Sequence, residues 1–216
     1  MTSATSLRLP VLGAEHLEFR CNGCGACCRA LRVAVTHHDV RRLADGLRRP
    51  AAELVDWLAP DAVDMTGEPG SFVELSEGRR LMVLAQRAGA CLLLDAAQRC
   101  SAYAQRPRDC RLFPFDLSRD ADGSVTALAR LELEGCGDER GPAASLAEVA
   151  ALDRERWAEL GDYQARLASW NRLARHRRRF RQPVGDGEAF LAWIGLGAPG
   201  PVPARHGAQA LPASGI

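Results

Sequence analysis

The stretch that decides the fold is CNGCGACC, residues 21–28, in which four cysteines fall within eight positions. Two-residue gaps separate the first three cysteines, and each gap contains a glycine, Gly23 or Gly25. Because glycine adopts positive φ readily, the chain can curl so that successive thiolates converge and backbone N–H groups point at the sulfurs. The stretch therefore predicts a loop that folds around a metal.

Two kinds of metal centre suit this loop. Zinc takes four ligands, with Zn–S distances of about 2.3 Å. The first three cysteines also match the opening of a bacterial ferredoxin run, C-x2-C-x2-C, whose fourth cysteine follows after three intervening residues and precedes a proline. Here Cys28 follows Cys27 directly, and Arg29 replaces the proline. Adjacent residues usually direct their side chains differently, so the two cysteines need not bind the same metal, and at least one later cysteine should complete the site.

Four later cysteines are candidates, each near the end of a predicted strand or turn, where a stable base can aim a side chain. They are Cys91, Cys100, Cys110 and Cys136. Eight thiolates would satisfy two four-ligand sites, or one site with spare cysteines, and the sequence does not choose between these. The alternative for Cys91, in CLLLD, is a buried residue without a ligand role, since free cysteine is commonly buried.

Composition limits the class of protein. With 216 residues, 47% apolar and 25% charged, the chain has the balance of one globular domain with an appended helical segment. The net charge of +1 creates no global field that would attract nucleic acid or an anionic membrane. All 28 cationic side chains are arginine, which excludes a P-loop lysine and a Schiff-base lysine.

The sequence before the first cysteine has no continuous apolar segment of the kind found in signal peptides. No later run approaches the roughly 20 apolar residues of a spanning helix. We therefore expect a cytoplasmic protein without a membrane partner. Thiols stay reduced in that compartment, so closely spaced cysteines favour metal or redox chemistry over disulfides.

Two short helices are predicted after the cluster. Thr36 followed by Asp39 approximates a capping box, and apolar residues then recur at helical spacing. The segment AAELVDWLA, residues 51–59, predicts a second helix with Pro50 at its start and Pro60 at its end.

The middle of the chain predicts antiparallel β structure. SFVEL (71–75) and RRLMVLAQ (79–86) read as one hairpin, and FPFDLS (113–118) and SVTALARLEL (124–133) as a second. CLLLD (91–95) predicts a further strand. In this region predicted strands alternate with turn residues. The sequence contains no internal repeat.

After Pro142 the pattern is helical again, with Gly161 as a candidate break between two helices. The apolar residues that would line one side are Leu146, Val149, Trp157, Leu160, Tyr163, Leu167, Trp170 and Leu173. The predicted class is α+β: a small cysteine-rich metal-binding domain with short helices and antiparallel hairpins, followed by C-terminal helices. The predicted divisions are an N-terminal extension (1–18), the metal-binding domain (19–140), a helical segment (141–196) and a flexible tail (197–216).

Two further groups of polar residues have competing interpretations. His37 and His38 begin the first predicted helix, where they could complete a mixed Cys/His zinc site or simply lie on the surface. ARHRRRFR (174–181) could bind RNA or an acidic protein, although a solvated helix end explains it without a partner.

Arginines also flank one of the later cysteines. Arg106 and Arg111 lie on either side of Cys110 and could donate hydrogen bonds to thiolates. Pairing with Asp109 or Asp116 is the alternative.

The segment CSAYAQRPRDCR (100–111), followed by Phe113 and Pro114, strengthens the interpretation of the cluster. Together they resemble the YkgJ-type CxxCxxCC cysteine-cluster family, whose zinc- or iron-chelating domains carry a C-x-I-Y-x-x-R-P-x-x-C-R segment after a spaced cysteine. Ala102 stands where the family usually has an aliphatic residue. The resemblance covers roughly residues 19–136.

This resemblance implies a cysteine-ligated centre that includes Cys91 and Cys136, with an iron–sulfur cluster, [4Fe–4S], favoured and Zn²⁺ as the alternative. A lysine N-methylase acting on flagellin is among the architectures that carry the domain, which does not make this chain a methylase.

Three functions follow as hypotheses. The first is an iron–sulfur protein in electron transfer or redox support of a protein partner. The second is a structural zinc module that presents a protein or RNA interaction surface. The third is a cluster-dependent, methyltransferase-like enzyme, although the chain has no CxxxCxxC radical-SAM spacing and no glycine-rich SAM loop.

Overall fold

The computed structural model describes residues 6–9, 16–17, 21–63, 69–120, 122, 125–136 and 144–197. The strands are β1 (Ser6–Leu9), β2 (His16–Leu17), β3 (Val55–Leu58), β4 (Phe72–Leu75), β5 (Gly78–Leu84), β6 (Gln86–Arg87), β7 (Ala90–Cys91), β8 (Phe115–Arg119), β9 (Val125–Leu131) and β10 (Ala144–Ser145). The helices are α1 (Ala26–Ala30), α2 (His37–Leu47), α3 (Arg108–Leu112), α4 (Leu146–Arg179) and α5 (Gly187–Trp193). The α+β class is as predicted. The predicted tail lies outside the described residues after its first residue.

The strands of the described residues pair antiparallel in four groups. One three-stranded sheet has the order β3-β5-β4, with Trp57 opposite Met82 and Phe72 opposite Leu81. Another has the order β1-β9-β8, and two ribbons pair β2 with β10 and β6 with β7. Both predicted hairpins, β4–β5 and β8–β9, are confirmed.

The predicted strand over 91–95 is wrong beyond its first residue. Of residues 91–95, only Cys91 belongs to a strand, where it is the last residue of β7. Leu94 makes an isolated bridge to Cys100. The reason is a turn directly after the strand, in which the Leu94 N–H donates to the Cys91 carbonyl at 3.0 Å. This turn leaves Cys91 at the strand end.

The main hydrophobic core lies between the β3-β5-β4 sheet and the helices α2, α4 and α5. Its largest fully buried members include Leu43 of α2, Met82 of β5, Leu167 of α4 and Phe190 of α5. A second, smaller cluster joins α3, the β8–β9 hairpin and the start of α4. Among the described residues, no helix is both long and apolar enough to cross a bilayer.

Helix α2 begins as predicted. The Thr36 side chain accepts the Asp39 N–H at 3.2 Å, and the Asp39 carboxylate accepts the Thr36 N–H at 2.9 Å. This reciprocal capping box satisfies two donors that a helix start leaves unpaired. Val40 and Leu43 are both fully buried, so the predicted apolar face is the one that packs on the core.

The predicted second helix over 51–59 is wrong. Ala51–Glu53 form one 3₁₀ turn, after which Val55–Leu58 run as strand β3 beside β5. Short apolar runs are ambiguous between helix and strand. Here the β-branched Val55 and the aromatic Trp57 suit a sheet, and pairing with β5 provides backbone partners that an isolated helical turn would not.

Helix α4 runs without interruption through Gly161, so the predicted break is absent. An interior glycine costs about 1 kcal/mol relative to alanine, and the buried residues Leu160, Tyr163 and Leu167 around it outweigh that cost. The predicted stripe is only partly buried, because Trp157 and Leu173 are 45% and 36% exposed.

The second half of α4 covers the edge strand β4. The Asn171 side chain accepts the Glu74 N–H at 2.7 Å and donates to the Phe72 carbonyl at 2.8 Å. Trp170 donates to the Glu74 carbonyl at 2.8 Å, and Arg178 pairs with the Glu74 carboxylate at 2.6 Å. The helix thus satisfies backbone groups that an edge strand exposes, and one arginine of the basic run takes part in this contact.

A polar network holds α3 between α2 and α4. Asp39 is 4% exposed, and its carboxylate accepts the Arg108 N–H at 2.9 Å and the Arg42 guanidinium. Glu159 of α4 binds Arg42 at 2.6 Å and Arg108 at 3.2 Å. The first turn of α3, the helix that carries one of the candidate cysteines, is therefore fixed by charges from both neighbouring helices.

Candidate metal centre

Separate segments of the fold carry the eight cysteines, all of which are free, partly buried thiols. Cys21 and Cys24 precede α1, Cys27 and Cys28 lie in it, Cys91 ends β7, Cys100 ends the following loop, Cys110 lies in α3 and Cys136 follows β9. The segments after residue 90 are distant in sequence from the cluster, so only the tertiary fold can bring their thiols to it.

The cluster loop has the backbone that its glycines predict. Gly23 has φ of 74°, and Gly25 has φ of 73° and caps the start of α1. Within the loop, the Cys24 N–H donates to the Asn22 side chain at 3.1 Å. These left-handed positions, which glycine tolerates best, turn the chain so that Cys27 enters α1 close to the earlier cysteines.

The cysteine side chains make contact in pairs. Cys28 lies close enough to Cys27 and Cys91 for both to shift its pKa, and Cys136 lies close enough to Cys24 for its pKa to be raised. Residues 21–28 thus lie beside the end of β7 at Cys91 and beside the segment after β9 at Cys136. All five thiols come from positions that the sequence singled out.

Burial and neighbouring thiols alter the ionisation of these side chains. Burial raises the pKa of Cys110 well above its usual value and also raises the pKa of Cys100. Burial, followed by the nearby Cys24, raises the pKa of Cys136 to about 11. These thiols are therefore protonated at neutral pH in the metal-free protein, so metal binding must release protons and weakens as the pH falls.

Arg106 has the predicted contact with a cysteine sulfur. Its guanidinium donates to Cys21 Sγ at 3.7 Å and lies 3.7 Å from the centre of the Tyr103 ring. The Tyr103 hydroxyl donates to the Cys21 carbonyl at 3.4 Å. Asp109 is paired with Arg156 of α4. Arg106 therefore provides a charged hydrogen-bond donor to a sulfur of the cluster loop.

A cavity of about 260 Å³ opens beside the cluster and is bordered by Cys27, Cys28, Cys91 and Cys110. Much of the remaining wall is apolar and includes Leu84, Leu112, Phe113, Phe115, Leu117 and Trp157. Four of the eight cysteines thus line one cavity together with apolar residues.

His37 is not a surface residue, contrary to the simpler of its two predicted interpretations. It is fully buried, whereas the His38 side chain is 32% exposed. Both rings approach Asp162 of α4, which lies more than a hundred residues later and carries no sequence signal that would link it to them. The packing of α2 against α4 accounts for the burial.

The donor set fits a metal centre. Thiolates are soft ligands that suit zinc, copper(I) and iron–sulfur clusters, and this site offers more sulfur donors than one four-coordinate ion requires. The residues that would hold the group are Cys21, Cys24, Cys27, Cys28, Cys91, Cys100, Cys110 and Cys136. Fold and donors together define a cysteine-rich, metal-binding α+β protein.

The chain belongs to the CxxCxxCC family, whose model, described as a "putative zinc- or iron-chelating domain", matches residues 20–131. That range holds every candidate cysteine except Cys136. The chain has no match among the curated proteins or the solved structures. The family match therefore supports the binding of zinc or iron by this chain.

The two loop glycines should respond differently to alanine. At Gly25 a Cβ would lie 2.7 Å from the Gln98 carbonyl oxygen and 2.7 Å from a Leu94 methyl, in addition to the strain of positive φ. At Gly23 nothing lies within 4 Å. We expect Gly25→Ala to lower the free energy of unfolding by about 2–4 kcal/mol and Gly23→Ala by about 1 kcal/mol. Urea unfolding of the metal-loaded proteins measures both, and equal losses would contradict the proposed close contact.

Proposed function

We propose that the protein holds a cysteine-ligated iron–sulfur cluster of the [4Fe–4S] type and serves a protein partner in electron transfer or redox support. When bound, such a cluster supplies one-electron chemistry at a potential set by net charge, solvent access and hydrogen bonds to sulfur. The chain would contribute the thiolates, the charge that surrounds them and the surface that the partner contacts.

The spacing of the cysteine sulfurs is the observation that carries the proposal. In a tetrahedral zinc site four sulfurs bind one ion at about 2.3 Å, so they lie about 3.8 Å apart. In a [4Fe–4S] cluster the four thiolates bind four different irons and spread over a larger core. Among the described residues, which include all eight cysteines, no three cysteine sulfurs lie within 4.8 Å of one another. Although some thiols approach one another in pairs, no three of the described thiols converge on one point as a single four-coordinate zinc ion requires, and this favours a multi-iron centre.

Positive charge near the thiols supports the same proposal. A cluster bound by four thiolates carries negative charge, which nearby guanidinium groups can offset. Arg106 donates to Cys21, and Arg32 borders the cavity that Cys27, Cys28 and other thiols face.

Two exposed aromatic residues near the thiols support a docking role. Tyr103 is 46% exposed beside Cys21, and Trp157 is 45% exposed at the cavity. Each ring has an arginine over it, Arg106 at 3.7 Å and Arg156 at 5.2 Å from the ring centre. Protein interfaces are enriched in tyrosine, tryptophan and arginine, and redox complexes use small contact areas. We therefore propose that Tyr103 and Trp157 belong to the surface that the partner contacts.

Arg106→Gln should lower the reduction potential of the centre. The substitution removes a positive charge and a hydrogen bond to Cys21 Sγ, both of which favour the more negative reduced state. A loss of about 1 kcal/mol corresponds to a shift of roughly 40 mV for one electron. Redox titration followed by EPR measures the shift. Arg49→Gln, which removes a guanidinium paired with Glu53 on the surface, is the control and should leave the potential unchanged.

Spectroscopy on protein purified without oxygen tests the proposal. The expected result is a broad visible absorption band that bleaches when dithionite is added. A colourless protein that contains stoichiometric zinc would contradict it and would favour the structural zinc module.

A further inference from the structure

A second group of possible metal ligands lies at the junction of α2 and α4, and the function proposed above does not use it. The ligand atoms of His37, His38 and Asp162 all lie within 4.8 Å of one another. Asp162 Oδ2 is 3.2 Å from His37 Nε2 and 2.9 Å from His38 Nε2. The two imidazole rings are adjacent, with their centres 4.0 Å apart.

The unusual member of the group is His37. Its side chain is completely buried, and neither ring nitrogen has a hydrogen-bond partner within the described residues. The contact with Asp162 is short enough for a hydrogen bond but lacks the required direction, so it leaves Nε2 unsatisfied. Buried polar atoms almost always have a partner because an unpaired one is costly. The unpaired Nε2 of this buried ring lies beside a carboxylate and a second imidazole.

The ring of His37 is also in the form that binds metals. Burial, followed by the nearby His38, lowers the pKa of His37 to about 4, so the ring is neutral at neutral pH. A neutral imidazole offers a lone pair to a metal ion and makes no ion pair with Asp162. An ion pair between these two residues therefore does not explain why they are adjacent.

We propose that His37, His38 and Asp162 form a second metal site, which takes a borderline divalent cation of the zinc class and links α2 to α4. Two imidazole nitrogens and one carboxylate oxygen are common zinc ligands, at about 2.0–2.2 Å from the ion. Tetrahedral geometry at those lengths separates neighbouring ligand atoms by about 3.3 Å. The 2.9 and 3.2 Å separations found here need only small movements to admit an ion.

The site is open to solvent on one side. The side chains of His38 and Asp162 are 32% and 44% exposed, so an ion can enter from solvent. Arg166 also contacts Asp162 Oδ2, at 3.3 Å. A carboxylate has about four lone-pair positions, so Arg166 can remain as an outer partner that orients the ligand, as is usual around metal sites. The nitrogen and oxygen donors distinguish this site from the thiol-rich centre.

Zinc uptake by the full-length protein, with its cysteine centre intact, tests this proposal. Protein purified without oxygen would be dialysed against buffered micromolar free Zn²⁺, and bound zinc counted by mass spectrometry. We expect Asp162→Asn and His38→Gln each to bind one zinc fewer per chain than the unmodified protein. His176→Gln, which alters an exposed histidine elsewhere on α4, should bind the unmodified number. Zinc held by the cysteines is common to all four proteins and cancels in the comparison.

Nitrogen NMR of the histidine rings provides a readout that does not depend on any variant folding normally. In the unmodified protein, Zn²⁺ should shift the ring ¹⁵N resonances of His37 and His38 together and leave His176 unchanged. Equal zinc uptake by the unmodified protein and both ligand variants would overturn the proposal. Ring resonances of His37 and His38 that do not respond to Zn²⁺ would overturn it as well.

Discussion

Replacing Cys27 with serine should release metal and lower the free energy of unfolding by about 3–5 kcal/mol. Its thiol lies beside Cys28 and raises the pKa values of Cys110 and Cys136, and Cys27 borders the cavity. Serine is a poor ligand for soft metals. Structural zinc in small zinc-finger peptides contributes about 10–16 kcal/mol to folding, so the loss of one central ligand from a comparable centre should remove a substantial fraction of its contribution.

Metal content per chain and urea unfolding measure the effect of Cys27→Ser. The matched control is Ala30→Ser, which introduces the same side chain at an exposed position of the same short helix. We expect the control to retain full metal content and to change stability by less than about 0.5 kcal/mol. A Cys27→Ser protein with unchanged metal content and an unchanged melting temperature would show that this thiol is not a ligand.

Replacing Asp39 with alanine should lower the free energy of unfolding by about 3–5 kcal/mol, the range found when one partner of a buried charged network is removed. The Asp39 carboxylate accepts hydrogen bonds from the Thr36 and Arg108 backbones and from the Arg42 side chain. Its loss leaves two backbone N–H groups without this acceptor and frees the first turn of α3. Because α3 carries Cys110, metal content should fall as well.

Asp45→Ala is the control for this prediction, since Asp45 lies exposed on the same helix. Its effect should stay within about 0.5 kcal/mol. Urea unfolding of both metal-loaded proteins, with metal counted before each experiment, provides the comparison. Similar losses in the two variants would mean that the buried network does not hold α3 in place.

The parts of the fold that the sequence predicts correctly are those specified by neighbouring residues. Thr36 and Asp39 define a helix start between them, and Ser76 with Glu77 defines a hairpin turn. The same holds for the cluster loop, because positive φ at Gly23 and Gly25 follows from the residue type and the spacing. In each case the deciding interaction spans only a few residues.

The errors arise where distant residues decide the outcome. Val55–Leu58 has apolar spacing that suits a helix, but β5 offers it backbone hydrogen bonds from more than twenty residues away. Gly161 would weaken an isolated helix, but packing against the core keeps α4 continuous. Such tertiary effects override local preference.

The candidate site shows the same contrast between features set by neighbouring residues and features set by distant ones. The local pattern identifies the cysteines, whereas their pairing, such as Cys24 with Cys136 or Cys28 with Cys91, is visible only after folding. Asp162 carries no such local signal, because nothing in its neighbouring sequence relates it to His38, 124 residues earlier.

The central claim is that the cysteines hold an iron–sulfur cluster. The most direct test is to quantify iron, zinc and acid-labile sulfide per chain in full-length protein prepared without oxygen. Four irons and four acid-labile sulfides for each cluster are the expected result. Protein that contains zinc but neither iron nor labile sulfide would contradict the claim.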